Sequence, residues 1–176
     1  MSNNETQLEN SLIRFRPVER EDLERLQHWR NDPEIRLICR EYRQLSLDHQ
    51  VYWYENTILD TDCMMFVITA ADKGNPIGVC GWTFIDWRSR HALLSLYIGD
   101  PSYREEDHYA AIFTELHRVA FKELGLHVIR AEIYDFDPRK EMFFKAGYKE
   151  TGRRRQQYFH NGRFWDIIIT DIVNES

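Results

Sequence analysis

The chain has 176 residues, 43% of them hydrophobic, the length of one domain with one substantial core. A net charge of −6 lacks the basic surplus that counterion release on a phosphate backbone requires, so no nucleic-acid partner is expected. The polar start, Met1 to Asn10, has no signal-like apolar segment and no later run is long enough to cross a bilayer, so a soluble cytoplasmic protein without a membrane partner is expected.

Residues 1–11 read as a flexible tail and 12–176 as one domain. Leu12 to Pro17 alternates apolar with charged residues, the period of a half-buried strand ended by proline. Glu19 to Asn31 carries Leu23, Leu26 and Trp29 at helical intervals, and Asp32-Pro33 is read as its stop. Ser46 can cap a second helix with Val51, Tyr54 and Ile58 on one side. Cys39, Cys63 and Cys80 show no metal-ligand spacing, so free thiols and no metal are expected.

Met64 to Ala70 and Ile77 to Asp86 read as a hairpin across the turn formers Lys73 to Pro76. A strand from Ala92 to Ile98 ends at Gly99-Asp100-Pro101. The clearest helix follows, with Ile112, Phe113, Leu116, Val119 and Ala120 on one face and Gly125 closing it. His127 to Tyr134 is a strand, and Asp137-Pro138 reads as N-cap and first residue of a helix bearing Met142, Phe143 and Ala146. Two final strands, Lys149 to Phe159 and Arg163 to Val173, meet at Asn161-Gly162, the signature of a type I′ hairpin. A strand feeding a long helix and then another strand implies a parallel pair in an otherwise antiparallel sheet, and the cleft where such a pair diverges holds ligands.

Local sequence carries a resemblance. Arg16-Pro17 with Glu21-Asp22-Leu23, Trp29-Arg30-Asn31-Asp32-Pro33-Glu34, Pro76-Ile77-Gly78 with Gly81, Tyr97-Ile98-Gly99-Asp100-Pro101 with Tyr103-Arg104, Lys145-Ala146-Gly147-Tyr148 and Asn161-Gly162-Arg163 recur in that order. In these pieces Leu12 to Val173 resembles the GNAT superfamily of N-acetyltransferases, in the branch of ribosomal-protein N-terminal and spermidine acetyltransferases. The resemblance implies an α+β fold: a mixed, mostly antiparallel seven-stranded sheet with a parallel central pair and helices on both faces. It implies acetyl transfer from acetyl-coenzyme A (acetyl-CoA), used as cosubstrate, to a primary amine by direct attack. The acceptor is a protein N-terminus, a polyamine or an amino sugar.

By the same resemblance, the cosubstrate contacts Ile98, Arg104, Asp107, His108, Tyr109 and Asp137, and the acceptor meets Trp29, Arg30, Asn31 and Arg36. Family members hold the pyrophosphate on an Arg/Gln-x-x-Gly-x-Gly/Ala loop, whose bare backbone suits anion binding at a helix start. Here that stretch is Arg104-Glu105-Glu106-Asp107-His108-Tyr109, with Asp107 and Tyr109 in the glycine positions. Asp107 is expected to cap the helix in the anion's place. Leu93 stands where relatives carry a proton-accepting Glu, and Phe143 where they carry a Tyr. Glu132 and Tyr97, on the strands flanking the cleft, are the substitute catalytic candidates. The open alternative is a member that keeps the fold as a binding or regulatory module. Trp29 at helical spacing from Leu26 is equally the pattern of a core residue, and the aromatic terminal hairpin suggests a homodimer.

Overall fold

The computed structural model describes residues 12–175, so the tail expected over 1–11 lies outside the described residues, as does Ser176. Strand β1 (Ile13–Pro17) leads through a 3₁₀ turn (Arg20–Asp22) into α1 (Leu23–Asn31), α2 (Pro33–Ile38) and α3 (Leu47–Trp53), which a π turn extends to Ile58. Then come β2 (Met64–Ala70), β3 (Pro76–Asp86), β4 (His91–Ile98), α4 (Glu106–Arg118) with a π turn to Glu123, β5 (Val128–Tyr134), α5 (Lys140–Lys145), β6 (Lys149–His160) and β7 (Arg163–Val173). The seven strands lie in the order β1-β2-β3-β4-β5-β7-β6, antiparallel except for β4 beside β5.

Alternation along the strands sends successive side chains to opposite faces, and each face buries a separate cluster. One holds Ile68, Ile77, Cys80, Trp82, Ile129 and Ile133 of the sheet under Ile112, Phe113 and Leu116 of α4 and Phe143 of α5. The other packs Met65, Val67, Val79 and Tyr97 against Leu23, Leu26 and Trp29 of α1 and Ile35 of α2. The sheet is thus a wall between two helical layers, with Tyr97 of β4 on the side of α1 and α2 and Ile129 and Ile133 of β5 on the side of α4.

Asp32-Pro33 starts a helix instead of only stopping one. Asp32 accepts from the Glu34 amide at 2.8 Å and Pro33 opens α2, since an Asp-Pro pair is as good an N-cap and first residue as it is a breaker. Near the C-terminal side the reverse holds. Asp137-Pro138 forms a turn, and α5 begins only at Lys140, because the Asp137 carboxylate is turned to Arg139. The expected Ser46 cap is present, its Oγ accepting from the His49 amide at 3.3 Å. At the terminal hairpin Asn161 and Gly162 both have positive φ, 50° and 76°, as a type I′ turn requires.

The end of β4 is fixed by a close approach. A Cβ on Gly99 would run into the Trp29 indole, so the bare backbone there lets α1 lie against the strand end. Gly99→Ala is expected to lower stability by about 1–3 kcal/mol through overpacking, read as a fall in the thermal midpoint. An unchanged midpoint would show that Trp29 has room to move.

His117 sits in the α4 face among Phe113, Phe121 and Tyr148, with Nε2 3.4 Å from the Tyr148 hydroxyl. Burial pushes its pKa down to about 4. The unfolded imidazole, near 6.5, takes up a proton that the folded one refuses, so this stability is complete above pH 6.5 and lost as pH falls through 4. We expect the thermal midpoint to fall between pH 6.5 and 4, with His117→Phe removing up to about 3 kcal/mol of that dependence. Parallel curves for the two proteins would contradict it.

Candidate active site

The parallel pairing of β4 with β5 is short. His91, Ala92 and Leu93 match Val128, Ile129 and Arg130, and beyond Leu93 the two strands part. Between them opens a cavity of about 500 Å³, walled by Leu94, Ser95 and Leu96 on one side and by Ala131, Glu132 and Tyr134 on the other. A second cavity of about 310 Å³, towards α3, shares Arg30, Glu41, Trp53, Ser95 and Tyr97 with the first. A cleft at the carboxyl ends of diverging parallel strands is where the topology leaves backbone groups for a ligand.

Both catalytic candidates line this cleft. Glu132 is ion-paired with Arg154 at 3.0 Å, and its carboxylate keeps a quarter or less of its free exposure. Tyr97 is buried, with the Arg30 guanidinium 5.8 Å from its ring centre, and burial holds its pKa well above the usual phenol value. It therefore keeps its proton. Leu93 and Phe143 also line the cavity, so the positions where relatives carry acid and base groups are present as apolar wall.

The expected acceptor residues separate. Arg30 lines both cavities and has no ion pair among the described residues. Trp29 is core, packed on Gly99. Asn31 donates to the Leu45 carbonyl at 2.8 Å and accepts from its amide at 2.7 Å, pinning the loop between α2 and α3. Arg36 lines neither cavity. That loop carries Glu41 into the cleft, where Arg43 binds its carboxylate at 2.6 and 2.8 Å and pulls its pKa down to about 2. Asp60 and Asp62 line the larger cavity as well.

The expected cosubstrate residues are also placed unevenly. Arg104 donates to the carbonyls of Ile98 at 3.0 Å and Gly99 at 3.1 Å and pairs with Glu34, so it ties the end of β4 to α2. Asp107 does not cap α4. The helix starts at Glu106, the N-cap is Glu105 and it makes no side-chain cap bond, while Asp107 is exposed in the first turn. Tyr109 turns inward, 3% exposed, and leaves the helix start clear. The first-turn amides of α4 therefore remain without a side-chain cap, beside the exposed carboxylates of Glu105, Glu106 and Asp107. His108 stacks edge-on with Tyr103, and its Nδ1 is buried without a hydrogen-bond partner among the described residues.

Asp137 is taken up by its neighbour. Its carboxylate accepts from the Arg139 amide at 2.8 Å, from Nε at 3.0 Å and from Nη2 at 2.7 Å, and Arg139 Nη1 reaches across to the Leu96 carbonyl at 3.0 Å. Sequence reasoning did not single out Arg139. Its only signal is an Arg two residues after an Asp at a turn, and nothing in that spacing says the side chain enters the cleft.

Comparison with known proteins agrees with this geometry. The sequence profile of the acetyltransferase (GNAT) domain family matches residues 15–169. Spermidine N(1)-acetyltransferase of Vibrio cholerae serotype O1 is 26% identical over 159 residues, covering 90% of this chain and 91% of that protein. Among solved structures, the spermidine N-acetyltransferase from Vibrio cholerae in complex with CoA and spermine superposes with a TM-score of 0.84 at 24% identity, over 93% of this chain and 96% of that one. The dodecameric structure of the same enzyme in an intermediate state gives 0.80 at 24% identity, over 93% and 95%. With its split sheet and a family match over most of its length, the chain belongs to the acetyltransferase (GNAT) family, whose members transfer an acetyl group to an amine.

Proposed function

We propose that this chain transfers the acetyl group of acetyl-CoA to a small cationic primary amine. The observation that carries the reading is the cleft itself: the splayed edge of β4 on one side, Glu132 opposite, and the uncapped start of α4 after the Gly99 turn. The residues fit a diphosphate at the helix start through its free N–H groups and the helix dipole, with the carboxylates of Glu105, Glu106 and Asp107 working against it and Lys145 pairing Glu106. Side chains at 107 and 109 do not fill it, since one is exposed and the other is core. They fit along β4 once Arg139 is accommodated. Bound there, the thioester supplies the activated acetyl group.

The chain's own residues do the rest. Strand β4 presents backbone to the acyl carbonyl, and holding two reactants in one cleft supplies proximity. Glu132 takes the proton of the acceptor's ammonium, with Arg154 keeping the carboxylate oriented towards the cleft. Tyr97 serves as a hydrogen-bond donor. Asp60 and Asp62 place carboxylates in the cleft, beside the cations of Arg30 and Arg40, where an acceptor's ammonium can pair with them, and the similarity to spermidine acetyltransferases points to the polyamine class over a peptide N-terminus or amino sugar. Asp60 and Asp62 make no ion pair among the described residues. Calorimetry with acetyl-CoA, followed by thiol release with spermidine, an N-terminal peptide and an amino sugar, tests the reading. Heat on binding and turnover of spermidine support it; no heat and no thermal shift at millimolar acetyl-CoA would remove it.

A dimer through the terminal hairpin belongs to the same proposal. Phe159 and Phe164 are exposed there with ring centres 5.1 Å apart, apolar area of a kind that an interface covers. A monomeric mass at every concentration in light scattering would end it.

A further inference from the structure

Where β4 leaves β5, its backbone loses a strand partner, and any extended ligand lying in the cleft must bond the groups so exposed, as an added strand does. Two of those carbonyls already have donors. Ile98 accepts from Arg104 and Leu96 from Arg139, each at 3.0 Å. The Arg104 bond lies at the strand end and ties it to α2. The Arg139 bond is different, because it spans the cleft from the turn after β5 to the middle of β4.

We propose that the Arg139 guanidinium is an internal occupant of the cleft: it holds the Leu96 carbonyl that the amide-bearing arm of an acyl carrier needs, so admission of the donor requires this arginine to leave. The inference rests on the reading that the donor arm lies between β4 and β5. It adds that the chain itself competes for that place.

Three features make Arg139 a latch and not a loosely placed surface side chain. Its side chain is 14% exposed and that of Asp137 2%, so the pair is nearly dry. The guanidinium is planar, and Nε and Nη2 are both on Asp137, so Nη1 cannot leave Leu96 without loosening that fork. Tyr109, the residue at one of the family's glycine positions, packs its phenol beside the same guanidinium. The aromatic residue in place of glycine and the arginine in the cleft are thus two parts of one arrangement. Asp137 retains the Arg139 backbone amide when the side chain moves, which keeps the turn formed.

Binding of coenzyme A and of pantetheine by calorimetry, with the shift each produces in the thermal midpoint, tests the latch on three proteins: the unmodified chain, Arg139→Lys, and the double variant Arg139→Met with Asp137→Asn. An ammonium at 139 can stay on Asp137 while releasing Leu96, and the double variant removes both charges together. Each variant's circular dichroism and melting curve establish that it is folded. A latch predicts that coenzyme A binds both variants about tenfold more tightly than the unmodified chain, with a larger ligand-induced rise in midpoint. Pantetheine, which lacks the diphosphate, should gain by the same factor, since the gain arises in the cleft and not at α4.

Equal or weaker binding by both folded variants overturns the latch. If the unmodified chain binds coenzyme A as tightly as the variants, the donor assignment stands and the latch alone falls. If only the variants bind, the latch stands and the donor assignment for the natural chain falls. Binding by none of the three removes both.

Discussion

With Glu132 as the proposed base, Glu132→Gln is expected to lower kcat for amine acetylation by ~10²- to 10⁴-fold while changing KM for the acetyl donor little, the span that loss of a positioned base gives. The substitution keeps size and hydrogen-bonding capacity but removes the carboxylate proposed to accept a proton. Glu132 faces the cleft from β5, opposite the stretch of β4 that follows Leu93, and it is the only carboxylate that β5 brings into that wall. Because Leu93 cannot accept a proton and Tyr97 holds its own, no other side chain of β4 in this cleft replaces it. A companion variant, Arg154→Ala, separates orientation from proton transfer. It frees the carboxylate from its 3.0 Å ion pair and should cost far less than Glu132→Gln. Equal kcat for Glu132→Gln and the unmodified enzyme, with saturating spermidine, would take the base role away from this residue.

Much of the architecture was legible in the chain because its signals are local. The hairpins rest on Gly74-Asn75-Pro76 and Asn161-Gly162, α3 on the Ser46 cap and α4 on an unbroken apolar stripe, and the structure has all of them. The family-like pieces proved to be largely structural. Arg16 grips Asp22 with two bonds of 2.7 Å while Asp22 also accepts the Glu19 amide, which fixes the entry from β1 into α1. Asn31 anchors Leu45, and Gly81 has no room for a Cβ against the β2 backbone. Such pieces identify a fold reliably because a scaffold needs them whatever it catalyses.

The cleft was less legible, for a physical reason. Its occupants are decided by where side chains turn after the backbone is set, and spacing along the chain does not carry that information. Asp107 and Asp137 are the same residue type at or near a helix start, yet one is exposed and uninvolved in a cap while the other is buried under an arginine. Tyr109 stands at a family glycine position, and it is the curl of α4 over the core that takes its ring away from the helix start.

Asp137→Ala is expected to destabilise the protein by about 3–5 kcal/mol, the cost of leaving a buried guanidinium without its carboxylate. For a chain of this size that corresponds to a fall of about 10 °C in the thermal midpoint. Burial works to lower the Arg139 pKa, and its bonds to Asp137 outweigh that and raise it, so the charge persists and must be matched. Removing the carboxylate also strips the Arg139 amide of its acceptor in the turn. The double variant Arg139→Met with Asp137→Ala removes the charge as well, so it should lose markedly less than Asp137→Ala alone, with a coupling visible in the double-mutant cycle that Arg139→Met completes. Urea unfolding of the four proteins in the cycle gives the numbers. If Asp137→Ala loses less than about 1 kcal/mol, solvent already reaches the pair and the cleft is wetter than its burial implies. If the double variant is worse than the single one, packing of the arginine stem, and not its charge, is what this end of the cleft depends on.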